Sequence, residues 1–329
     1  MRFSFTTTTA LVAVAVMLVV AVGAGAAVGA LARPAPTPLV TPSPTPLASP
    51  SPENTEPFVF QQPLSSGCAS QDAVWVFSDG GGVGRFDGKR WELVDSTLRS
   101  LVDAVCTADT ALAVGPSGRL LTLDDHAKTI RADDIGYFDA YGISLLSDGA
   151  LVVGSSGTVR RQSASGWLPY AGGIEEDLFA ITAFSSISAW AVGSGGAAYR
   201  LEEAGWRPFT TGTTATLRAV AGSSPADAIA AGDGGVLLRF DGRWQSLDSG
   251  VQSVLRAATR VGQITYVAGD RGVALAIDGS TVTRIDLGTT CSLRGVFVRA
   301  NEVWFVGSEG THAGVWRRTG DRLDRWGTC

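Results

Sequence analysis

Three arginines, Arg218, Arg256 and Arg294, follow one another at steps of 38 residues. A planar guanidinium grips a carboxylate through two parallel hydrogen bonds, so arginines gathered at one mouth of a fold would make an anion-binding arc. Extending the local pattern toward the N-terminus places Phe179, Asp139 and Asp103 at the corresponding positions of three earlier repeats. The expected site is a basic arc facing two carboxylates across an opening, with Arg271 on the same face. Such an arc suits a protein partner, an acidic peptide or an anionic glycan. Other chemistry-bearing residues are sparse. His126 and His312 are the only histidines, and Gly307–His312 reads as a turn rather than a nucleophile elbow. Asp79, Asp233 and Asp270 hold one turn position in separate repeats, too dispersed for a single calcium site. No catalytic set, metal site or cofactor is expected.

The elements that would position these residues come from a repeat. A short apolar run ending in Gly-x-x-Gly recurs at Gly115, Gly154, Gly193, Gly232, Gly269 and Gly307, with Ser78 in the first copy. The steps are 37, 39, 39, 39, 37 and 38 residues, which divides residues 58–329 into seven units. Each unit reads as four strands: Leu217–Val220 in its clearest first form, then a continuously apolar second strand such as Val303–Val306. The Gly-x-x-Gly turn and an Asp-Gly turn, as at Asp241-Gly242, join the remaining strands, and a tryptophan (Trp91, Trp167, Trp206, Trp244) opens the fourth. The fold class is therefore all-β, a seven-bladed β-propeller of four-stranded blades, in which the tryptophans wedge between blades. With 45% hydrophobic and 17% charged residues, global disorder is excluded, and a net charge of −5 argues against a nucleic-acid partner.

Ahead of the propeller, residues 10–32 carry no charge, and as a helix would span roughly 34 Å, enough for a bilayer core. They read as a transmembrane anchor after a short cytoplasmic N-terminus (1–9), or as a cleaved signal peptide with an Ala30-Leu31-Ala32 site. Residues 33–57 hold nine of the fourteen prolines and read as an extended stalk. Either alternative puts the propeller outside the cytoplasm. In an oxidising compartment Cys68, Cys106, Cys291 and Cys329 suggest two disulfides. Cys68 with Cys106 and Cys291 with Cys329 is one pairing; Cys68 with Cys329, tying the first blade to the last, is another.

These repeats resemble the bacterial extracytoplasmic propellers of the BNR-like and WD40/YVTN-like superfamilies. They are more distantly similar to the photosystem II assembly and stability factor family. That resemblance implies seven blades, an extracytoplasmic location and membrane-protein clients. The Asp box of the broader group is not intact; Ser78-Asp79-Gly80-Gly81 and Asp241-Gly242-Arg243-Trp244 come nearest. Tyr199 near Glu202 is the only hint of the Tyr–Glu pair that sialidase propellers use. The expected function is a monomeric, non-enzymatic binding or scaffold propeller. The alternatives are an assembly factor for a membrane complex and a carbohydrate-active propeller, lectin-like or hydrolytic.

Overall fold

A computed structural model of the chain describes residues 60, 62–95, 99–125, 129–170 and 172–329. The expectations for residues 1–9, 10–32 and 33–57, and for His126, lie outside the described residues; among those described, no helix is long and apolar enough to cross a membrane. The strands form seven four-stranded antiparallel sheets, each built from four consecutive strands. The blades cover residues 64–95, 103–134, 140–169, 178–208, 217–247, 255–285 and 292–327. The expected seven-bladed, all-β propeller is what the chain forms.

Period and turn chemistry explain the blades. Val74–Phe77, Ala111–Val114, Ala189–Val192 and Val303–Val306 are buried along their whole length, as strands covered on both faces must be. Each Gly-x-x-Gly turn uses its glycines differently. Gly232 is extended (φ −167°), and a Cβ there would lie 2.1 Å from the Thr216 carbonyl oxygen. Gly235 has φ +75°, and its Cβ would meet the Val251 oxygen at 2.0 Å. The turn is thus wedged between the chain entering its own blade, at Thr216, and the chain leading to the next, at Val251.

Seven apolar clusters fill the seven junctions between adjacent blades. Trp91, Trp167, Trp206 and Trp244 each pack into one of them, as wedges. Where the last blade meets the first, Trp304 stacks on Trp326 at 5.5 Å, and Phe86 lies 5.3 Å from Trp326 and 5.1 Å from Trp91. Among the described residues no strand is exchanged across this seam. The aromatic cluster, the Arg294–Asp79 ion pair and a hydrogen bond from Arg299 to the Gln71 carbonyl close the ring instead. Disulfides join Cys68 to Cys106, linking blades 1 and 2, and Cys291 to Cys329, tying the end of blade 7 to its start. The alternative pairing of Cys68 with Cys329 does not form.

Candidate functional site

The first strand of each blade lines a central channel of about 540 Å³. In six blades its pairing with the second strand slips by one residue near the start. The skipped residue is a β-bulge, which frees a side chain from the alternation of the sheet and re-aims it. The skipped residues are Ser65, Tyr141, Phe179, Arg218, Arg256 and Arg294. Val102 holds the equivalent place in blade 2, donating its backbone N–H to Val114 just before that strand begins. Apart from Ser65, all of them line the channel, at its first-strand mouth.

The structure therefore brings Phe179, Arg218, Arg256 and Arg294 to one ring, but moves the two aspartates. Val102 and Tyr141, not Asp103 and Asp139, complete it. Asp103 lies one residue deeper, opposite Val114. Asp139 precedes its strand and accepts a hydrogen bond from the Ser117 backbone N–H in the turn of blade 2, at 2.9 Å. It does not line the channel. Bulges, invisible to a period count, displaced the alignment.

Nor is the arc bare positive charge. Arg218 donates Nε and Nη2 to the two oxygens of Asp233, at 2.5 and 3.0 Å. Arg256 does the same with Asp270, at 2.5 and 2.8 Å. Both pairs lie within one blade. Arg294 reaches across the seam to Asp79 at 2.6 Å. These are the three turn aspartates that the sequence offered only as rejected calcium ligands. Asp270 holds the Arg256 guanidinium firmly protonated. Burial pushes Asp270 up, but Arg256, a hydrogen bond from Ser292 and the charge of Arg294 leave it below its ordinary value. Arg271, exposed and with φ +59°, shares the Asp270 turn and so stands on the same face, outside the channel wall.

Toward blades 3 and 4 the ring turns aromatic. Phe179 lies 5.4 Å from the Arg218 guanidinium on one side and stacks on Tyr141 at 5.1 Å on the other. Desolvation, then Asp139 and Asp177, raise the Tyr141 phenol. Tyr199, expected near Glu202, donates instead to Glu176 at 2.8 Å, and desolvation together with that bond pushes it up to about 12. Deeper in the channel, Asp103 accepts hydrogen bonds from Ser66 Oγ (3.4 Å), its neighbour Ala104 N–H (2.9 Å) and Ile143 N–H (3.0 Å), touching blades 1, 2 and 3. Burial nevertheless pushes its carboxyl up to about 6. Among the described residues no group of three or more His, Cys, Asp or Glu side chains could hold a metal ion. Sequence reasoning missed Tyr141, whose signal would have been its place immediately after the buried Ala140, matching Phe179 after Leu178.

No family model and no curated protein matches the chain. Solved structures do. YCF48 from Cyanidioschyzon merolae superposes with a TM-score of 0.62 at 15% identity, over 77% of this chain and 95% of that one. A structure described as YCF48 bound to D1 peptide gives a TM-score of 0.53 at 15% identity, over 66% and 77%. U3-55K gives 0.64 at 8% identity, over 76% and 90%. Identities this low speak for architecture alone, and the architecture they share with this chain is the β-propeller.

Proposed function

We propose that the chain is a non-enzymatic, extracytoplasmic binding propeller that holds a segment of a protein partner at the first-strand mouth of its channel. The observation that carries this reading is the run of three bulge arginines on consecutive blades. Arg218 and Arg256 each spend Nε and Nη2 on a single aspartate and keep Nη1 for a ligand carboxylate. The peptide in one YCF48 structure favours a protein segment over a glycan. A hydrolytic role has less support, because Asp103 and Asp139 do not face one cavity. The two disulfides fit an oxidising compartment. Residues 10–32 would tether the propeller to the membrane and residues 33–57 would hold it off the surface. Service to the assembly or stability of a membrane complex is the narrower role this arrangement suits.

The test is affinity capture from native membranes with the full chain as bait and the triple variant Arg218→Ala, Arg256→Ala, Arg294→Ala as control. The expected result is one partner recovered by the wild type and lost in the variant, whose melting temperature stays close to that of the wild type. Partly exposed ion pairs contribute at most about 1 kcal/mol each. Equal recovery by both baits would refute the site.

A further inference from the structure

The ring of bulge residues is chemically lopsided, and the fold does not ask for this. The same backbone position accepts Ser65, Val102, Tyr141, Phe179 and three arginines. Resting on the reading above and deepening it, we propose that the occupant is an extended peptide carrying a planar residue (Phe, Tyr, Trp or Pro) close to an Asp or Glu. The planar residue stacks over Tyr141 and Phe179, and the carboxylate reaches the arginines. A polyanion is the wrong ligand.

Two features point this way. The first is the aromatic platform. Tyr141 and Phe179 are only partly buried at the channel mouth, and the Tyr141 hydroxyl makes no hydrogen bond among the described residues. Tyr137, fully exposed at 106%, stands on the loop leading into blade 3 on the same face. Phe179 is already braced by Arg218 and Tyr141 on either side, so it is ordered before a ligand arrives. Stacked rings with an open edge take a further planar group at little conformational cost.

The second is the sign of the charge around the ring. Asp139 and Asp177 both act on Tyr141, and Glu175 and Glu176 stand on the loop that leads into blade 4. An anion is repelled there. On the opposite arc Arg218, Arg256 and Arg294 are each matched, by Asp233, Asp270 and Asp79, which leaves Arg271 as the arginine of that face with no ion pair among the described residues. With a single unmatched positive charge the arc has little net field to draw a polyanion, yet it keeps directed donors for a single carboxylate. A mixed segment satisfies both arcs, and its polarity is fixed: the planar residue over blades 3 and 4, the acid over blades 5 to 7.

The experiment pans random twelve-residue peptides on phage against the full-length chain in detergent. Alongside the wild type run Tyr141→Ala/Phe179→Ala, the volume-keeping Phe179→Leu, and the triple arginine variant, all with melting temperatures recorded. Wild type should enrich peptides with an aromatic residue or proline within four positions of Asp or Glu. The double alanine variant, and Phe179→Leu more mildly, should drop the planar requirement and bind the selected peptides roughly tenfold more weakly while still selecting acids. Enrichment of polyacidic peptides without a planar residue, or a planar preference that survives Tyr141→Ala/Phe179→Ala, overturns this inference and leaves the arginine site standing. No enrichment over the triple arginine variant overturns the site itself, and the inference with it.

Discussion

Asp103 should make the ring more stable in mild acid. Its carboxyl is raised from an ordinary 3.8 to about 6, because burial in the channel wall outweighs three hydrogen bonds. The unfolded chain restores the ordinary value. Between those limits the folded protein holds a proton that the unfolded chain has released. The desolvation penalty is therefore present in full above pH 6 and lifts as the pH falls toward 3.8. The full span of about 2 pH units corresponds to about 3 kcal/mol, and the part gained between pH 7 and pH 5 to about 1.3 kcal/mol. Asp103→Asn keeps an acceptor for the Ile143 N–H and cannot titrate. The assay is urea unfolding followed by tryptophan fluorescence, disulfides intact, for both proteins at each pH. Other groups titrate equally in the two, so the wild-type advantage over the variant should grow by about 1.3 kcal/mol from pH 7 to pH 5. A constant difference, or one that shrinks, would show that the Asp103 carboxylate is well solvated and the reasoning wrong.

Three further outcomes follow from the packing. Trp304→Ala, in the aromatic seam that closes the ring, should cost about 3–5 kcal/mol in urea unfolding, whereas Leu168→Ala, 49% exposed, should change almost nothing. Gly234→Ala should lose about 1 kcal/mol, for positive φ alone, because no atom lies within 4 Å of the new Cβ. Gly232→Ala, whose Cβ would collide with the Thr216 oxygen, should be clearly worse in the same measurement. Both disulfides close loops of the same separation, 38 residues. Chain entropy therefore sets the same ceiling of about 4 kcal/mol on the loss from Cys68→Ser/Cys106→Ser and from Cys291→Ser/Cys329→Ser. A much smaller loss for one pair would mean that its blade contacts persist in the unfolded chain.

Much of the fold was legible in the sequence because a propeller repeats its local chemistry. The Gly-x-x-Gly period counts the blades, the unbroken apolar runs mark the second strands, and the tryptophans mark the junctions. Cys68 and Cys106 reveal themselves by standing at like positions in neighbouring first strands. The site was legible only where residue types repeat, at Arg218, Arg256 and Arg294. Where they do not, the alignment slipped: it chose Asp103 and Asp139 as polar counterparts and passed over Val102 and Tyr141. A bulge adds one residue without changing the period, so only the strand register exposes it. The turn aspartates were visible, but their bonds to the arginines depend on the first strand beginning beside the turn that ends the second. For Arg294 and Asp79 that means bringing together residues of the first and last blades, 215 positions apart in the sequence.

The bulge ring also bears on how such a protein changes over time. A residue skipped by the ladder is asked for no partner by the sheet, so its identity is nearly free of the demands of folding. Six blades place a residue of this ring at one opening, while in blade 1 Ser65 turns inward to bond the Phe77 and Leu101 carbonyls. The scaffold thus behaves as a fixed frame holding a six-letter word, in which a substitution rewrites what the mouth recognises while the frame stays intact. Related chains with the same blades and a different word at Val102, Tyr141, Phe179, Arg218, Arg256 and Arg294 would be expected to serve different clients.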